Sequence, residues 1–229
     1  MELRKAKKAD LADIMQILTQ ARNAQREMGF EQWKDNYPPE DLVATEIDRG
    51  EGYVLVYENK LAGYAAITES DPEYDRLSEI WEASGPYCAV HRIALADQAR
   101  GQGLSRQFFD LIEEQARMLG ADIIRIDTGT ANAPMQHILS KRGYNNLGNH
   151  NFVWGERSAF ELVIRYNETR EPQSYLERNN GNYIAATIDY INNRDINPLV
   201  KMMLRVLVFC IVILFLAVSL SWPFWWHRL

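Results

Sequence analysis

Arg100-Gly101-Gln102-Gly103-Leu104-Ser105 follows an apolar run, Val90 to Ala96, and opens a helical pattern that continues to about Met118. That order predicts a strand, a tight turn and a helix. Two glycines let a backbone approach an anion closely, and the first N–H groups of a new helix have no intrahelical partner, so they point at whatever occupies the turn. The stretch therefore reads as a phosphate cradle. A dinucleotide-binding turn would carry a third glycine where Arg106 stands and would sit near the first strand; a P-loop would need Gly-Lys-Ser/Thr, which is absent.

Upstream, Leu3 to Ala6 predicts a short strand, and Asp10 is placed to cap a helix whose apolar residues Leu11, Ile14, Met15, Leu18 and Ala21 share one face. Glu27 to Pro39 breaks that pattern with Gly29 and two prolines while carrying Phe30, Trp33 and Tyr37, an aromatic loop. A helix from Glu40 to about Asp48 precedes a hairpin of Tyr53 to Tyr57 and Leu61 to Thr68, turning at Glu58-Asn59-Lys60. Glu69 to Pro86 is polar and reads as a loop over the sheet. Downstream, Gly120 stops the helix, Ala121 to Thr128 reads as a strand, and Asn132 opens a second helix with Pro134 in its first turn and Gly143 past its end. Two last strands are expected at about Asn151 to Gly155 and Ala159 to Arg165. The alternation of strands and helices is an α/β layout.

With 229 residues, 47% of them hydrophobic and 24% charged, the chain has material for one globular domain and some length beyond it. A formal net charge of −6 argues against nucleic acid as the main partner and suits a cationic or amine-bearing one. Cys88 and Cys210 stand far apart, so neither a disulfide framework nor a Cys-x-x-Cys metal or redox site is expected, and no metal is expected elsewhere. Residues 1–20 are charged and amphipathic, without a secretory pattern. Val206 to Trp226 holds no charged residue and reaches the ~20 apolar residues that a membrane span needs. Lys201 and Arg205 flank its start and Trp222, Trp225 and Trp226 its end, so it reads as a transmembrane helix with the N-terminal domain cytoplasmic. The expected organisation is a domain over residues 1–166, a polar, Asn-rich linker over 167–198, and an anchor over 199–229 whose span is about 206–226. Tyr183, Ile184, Ile188 and Ile191 would make a short amphipathic helix within the linker.

Arg100 to Ser105 resembles the acetyl-CoA loop of the GNAT superfamily of N-acetyltransferases, [RQ]-x-x-G-x-[GA], with Ser in the last small position; the frame Gln98 to Gly103 satisfies the same pattern. Asn132-Ala133-Pro134-Met135 through Gly143-Tyr144 is similar to that superfamily's next motif, in which an Asn opens a helix beside the cofactor and Gly plus an aromatic residue ends it. The resemblance covers about residues 1–166. It implies an α+β domain with a mixed, mostly antiparallel central sheet flanked by helices, to which the chain adds its C-terminal transmembrane helix. It also implies an acetyl-CoA co-substrate, a small-molecule or peptide amine as acceptor, and room for a homodimer. The Gly-Phe-Glu-Gln-Trp of Gly29 to Trp33, the Asp-Pro-Glu-Tyr of Asp71 to Tyr74 and the His-Arg-Ile-Ala-Leu of His91 to Leu95 look like small bacterial members of the superfamily.

On that resemblance the pantetheine would pair along Ile93, Ala94 and Leu95 as an added strand does. The N–H groups of Gly101, Gln102, Gly103, Leu104 and Ser105 would hold the pyrophosphate, Arg100 would add charge, and Asn132 would lie beside the cofactor. Acyl transfer to an amine needs a fixed thioester, a neutral nitrogen and a stabilised oxyanion. A backbone N–H near Leu95 is the oxyanion donor implied. His91 is the candidate base, placed by strict strand alternation on the side shared by Ile93 and Leu95, though a strand histidine is as readily a hydrogen-bonded core residue. Glu69, Asp71 and Glu73 are carboxylates that could serve instead. Asn132 is also a natural N-cap, and both roles are compatible. Trp33 and Tyr37 are either core or acceptor-pocket wall, and Tyr74 joins them as an acceptor-site candidate. The superfamily's usual acid, a tyrosine four residues before the glycine, is Leu139 here, and His137 does not share its helix face. An acyl-CoA-binding sensor without turnover is therefore the alternative function.

Overall fold

A computed structural model describes residues 1–30 and 32–164, all within one unit, Met1–Arg165. The expected linker at 167–198, its amphipathic stretch and the span at 206–226 lie outside the described residues. Among the described residues no helix is long and apolar enough to cross a membrane.

The strands are β1 (Glu2–Lys5), β2 (Gly52–Tyr57), β3 (Lys60–Thr68), β4 (Tyr87–Leu95), β5 (Ile123–Gly129), β6 (Asn145–Phe152) and β7 (Gly155–Val163). The helices are α1 (Leu11–Glu27), α2 (Glu40–Asp48), α3 (Pro72–Arg76), α4 (Leu104–Met118) and α5 (Ala133–Lys141). The strands form one sheet in the order β1-β2-β3-β4-β5-β7-β6, antiparallel throughout except for the central β4–β5 pair. This is the mixed, mostly antiparallel sheet flanked by helices that the resemblance implies.

The amphipathic patterns explain the layers. In α1, Ile14, Ile17 and Leu18 are buried, and in α4 Leu104, Phe108, Phe109, Ile112 and Ala116 follow the helical repeat into the core. Burying each large apolar side chain contributes about 1.5–3 kcal/mol, so α4, which carries the glycine turn at its N-terminus, is firmly seated. Arg142, just past α5, ties that helix to α4 through Glu113 (2.8 Å) and Asp110 (2.6 Å).

Three local expectations are corrected. Asp10 does not cap α1; its carboxylate accepts from the Lys7 N–H and from Arg4, closing the 3-10 turn that precedes the helix. Within Glu69 to Pro86 stands α3, whose start is the Asp-Pro pair: the Asp71 carboxylate accepts from the N–H groups of Glu73 and Tyr74, and Pro72 occupies the first turn. The last hairpin begins earlier than its apolar residues suggest, with its turn at Val153 and Trp154. The edge strand β6 is largely exposed, so it shows no apolar alternation and is held by backbone pairing to β7.

Candidate active site

The parallel pairing of β4 and β5 covers only Tyr87↔Ile123, Cys88↔Ile124 and Ala89↔Arg125, although β4 continues to Leu95 and β5 to Gly129. Beyond Ala89 the strands splay. The cause is a bulge in β4: His91 pairs with Ala66 and Ala94 with Tyr64, so three steps on β4 face two on β3, and Arg92 takes a φ of 53°. The bulge also corrects the alternation expected for His91. His91 and Ala94 share one face of the sheet, whereas Leu95, opposite Gly63, lies on the other.

The two edges of the gap differ. On β5 the Asp127 N–H donates to the Tyr74 hydroxyl (2.9 Å), and the Gly129 N–H donates to Oε1 of Gln32 (3.0 Å). Side chains thus stand where β4 hydrogen bonds would be, and a second strand laid in the gap finds its partner on the β4 side, along Ile93, Ala94 and Leu95.

At the end of β4 the chain turns through Gly101 (φ 73°) and Gly103 (φ 74°) into α4. A Cβ at either glycine would meet nothing within 4 Å. No side chain caps α4 and no acidic residue stands in its first turn, so the N–H groups of Leu104 and Ser105 are left for an anion, with the exposed Arg106 beside them. These residues fit a pyrophosphate. Arg100 is placed differently from expectation: its guanidinium bonds Asp97 (2.7 Å) and donates from Nε to the Leu95 carbonyl (3.2 Å), bracing the turn rather than standing in it. Gln102 likewise turns back, donating to the Gln98 carbonyl.

His91 is partly exposed, at 12% of its side chain, and its Nε2 lies 3.1 Å from Oδ2 of Asp71. The Tyr74 ring packs on the imidazole with centroids 5.4 Å apart. Burial pushes the Asp71 carboxyl up, but the hydrogen bond and charge of His91 and the N–H groups of Tyr74 and Glu73 outweigh it, and the group lies below its ordinary value. Of the other carboxylates considered, Glu73 is held by Arg76 and the Val153 N–H, and Glu69 is exposed. Tyr74 has no exposed surface; its hydroxyl donates to Asp127 (2.8 Å), which also meets Trp154 and Arg157. Tyr74 therefore supports His91 from behind instead of lining an open pocket. Burial, then the Asp127 charge, hold its phenol well above the usual range.

Trp33 is buried in the core, which settles its alternatives toward packing, while Tyr37 is half-buried and its hydroxyl accepts from Arg92 (3.2 Å). Arg92 in turn pairs with the buried Glu46. Asn132 caps α5 by accepting the Met135 N–H (3.2 Å), and its amide nitrogen donates to Gln32 (2.9 Å). Gln32 was missed by sequence reasoning: one carbonyl oxygen gathers Thr128, Gly129 and Asn132 from across the domain, and nothing in the local pattern announces it. Asp71 as the partner of His91 did have a signal, since Asp before Pro fixes the carboxylate at a helix start. Leu139 is fully buried in the core, and Cys88 is buried with its thiol pushed up to about 12 by burial, so it offers no nucleophile. Among the described residues no cluster of metal-ligating side chains forms.

The family model for the acetyltransferase (GNAT) family matches residues 15–144. Among solved structures, a GNAT-family acetyltransferase of Streptococcus agalactiae is 29% identical with a TM-score of 0.64, covering 72% of this chain and 96% of its own. An acetyltransferase of Salmonella typhimurium solved with its cofactor acetyl-CoA is 16% identical with a TM-score of 0.53, covering 73% and 95%. A ribosomal-protein-alanine N-acetyltransferase of Brucella melitensis is 17% identical with a TM-score of 0.53, covering 71% and 99%. No curated protein matches the chain.

Proposed function

The chain belongs to the acetyltransferase (GNAT) family and is an N-acetyltransferase, and from that premise we propose that it moves the acetyl group of acetyl-CoA to a primary amine of a small molecule or peptide while tethered to a membrane by its C-terminal segment. The observation that carries the donor half is the asymmetric gap between β4 and β5, closed on the β5 side by Tyr74 and Gln32 and ending at the glycine turn. Pantetheine pairs along Ile93 to Leu95, and the pyrophosphate rests on the N–H groups from Gly101 to Ser105. The amine lone pair forms the new N–C bond as the carbonyl π pair moves to oxygen, where a β4 N–H stabilises it. Return of that pair breaks the C–S bond, and sulfur leaves with the electrons. The proton lost by nitrogen passes to His91 and from there to solvent, and the CoA thiolate takes a proton from solvent to become the thiol, so one proton leaves nitrogen and one reaches sulfur.

Tethering is supported by the uncharged run from Val206 to Trp226, with Lys201 and Arg205 favouring a cytoplasmic N-terminal domain. Expression of the full chain should place it in the membrane fraction, resistant to high salt and alkaline carbonate; release by either treatment refutes the tether.

A second function, acyl-CoA binding without turnover, is favoured by Leu139, where the family motif carries its acid. Thiol release by the full chain with acetyl-CoA and an amine panel separates the two. Amine-dependent release that falls about 10²-fold or more in His91→Gln supports transfer. Tight acetyl-CoA binding with no release on any amine supports the sensor, and absence of acetyl-CoA binding overturns both.

A further inference from the structure

We infer that Asp71 fixes the imidazole of His91 as the Nε2–H tautomer, so that Nδ1 is the nitrogen that takes the proton from the attacking amine. This rests on the assignment of His91 as base. An ionised carboxylate can only accept, so the ring nitrogen 3.1 Å from Asp71 Oδ2 must carry the hydrogen, and a neutral imidazole then has its lone pair on the other nitrogen. Among the described residues no group hydrogen-bonds Nδ1.

The carboxylate is itself immobilised. Its Oδ1 accepts from the N–H groups of Glu73 (2.8 Å) and Tyr74 (3.0 Å), which leaves Oδ2 for His91. The Asp71 N–H donates to the Tyr87 hydroxyl (2.9 Å), and that hydroxyl donates to Asp75 (2.7 Å). The ring is held on its face by Tyr74, which Asp127 anchors by accepting the hydroxyl proton and donating its own N–H back. One short helix start thus sets the carboxylate, and the same helix supplies the aromatic that packs the ring. Asp71 is a positioning residue; it acts on the amine only through His91.

Asp71→Asn tests this without removing the helix cap. Asn keeps Oδ1, and Asn caps helices as well as Asp does. Its amide nitrogen replaces Oδ2 and presents hydrogens to Nε2, so the ring must accept there and carry its hydrogen on Nδ1. In the full chain labelled with ¹⁵N-histidine and assigned by His91→Gln, neutral His91 should show a protonated Nε2 and an unprotonated Nδ1, and the Asn variant the reverse. The variant's kcat should fall about 10-fold or more with KM for acetyl-CoA unchanged, the outcome expected of a base held in the wrong tautomer. A wild-type spectrum with the proton on Nδ1, or an Asn variant that keeps its kcat, overturns the tautomer assignment. If His91→Gln keeps full kcat, the base assignment itself falls, whichever nitrogen is protonated.

Discussion

Gly103 concentrates the donor chemistry in one residue. Its φ of 74° lies in the left-handed region, and a Cβ there would enter open space, the space in which the proposed function puts the pyrophosphate. Gly103→Glu adds backbone strain of about 1–2 kcal/mol and a negative charge in that space. Titration with acetyl-CoA should show a dissociation constant raised at least ~10-fold; an unchanged value removes the loop from the binding site. At Asp71 the same residue scale sets a pH dependence. Its folded-state pKa is held below the ordinary 3.8, so its charged contacts stabilise the fold at pH above that value and are lost as pH falls through the folded pKa. Urea melts should show wild type more stable than Asp71→Asn at about pH 7, with the difference shrinking below about pH 4. A difference that grows on acidification would mean that the carboxylate is not held ionised.

At the scale of elements, the gap depends on how β3, β4 and α4 press together at Gly63. A Cβ there would stand 2.8 Å from the Ala94 carbonyl oxygen, 3.0 Å from Leu95 and 3.1 Å from Phe108. Gly63→Ala must therefore push back the segment of β4 proposed above to pair with pantetheine. Thermal denaturation should show a loss of about 1–3 kcal/mol, accompanied by weaker acetyl-CoA binding. Loss of stability with unaltered binding would separate the strand from the donor site. In α4, Ile112→Ala should cost about 2–5 kcal/mol, because Ile112 is fully buried beneath the sheet; a cost under about 1 kcal/mol would show that the helix is not seated as described.

Across the whole molecule, what the sequence revealed divides by distance along the chain. The glycine turn and the Asn132 start of α5 are each set by neighbours a few residues away, so the donor side could be read directly, and the α/β order followed from apolar periodicity. The remaining contacts of the site are built from longer reaches: Asp71 to His91 spans 20 positions, and Gln32 to Asn132 spans 100. No local pattern encodes such contacts. The bulge at Arg92 moved His91 to the opposite face from Leu95 because alternation fails wherever one strand gains a residue. The polar start of β6, ahead of the strand expected from about Asn151, is hidden from periodicity for a related reason, since an exposed edge strand has no buried face to mark it.

Amide hydrogen exchange of the full chain with and without CoA tests most directly whether the gap between β4 and β5 and the glycine turn together hold the donor. The prediction is added protection in two segments, residues 93–95 and 101–105, with little change at Asp127 and Gly129, whose N–H groups already have side-chain partners. Protection confined to other parts of the sheet, or none at all with CoA bound, would contradict the account.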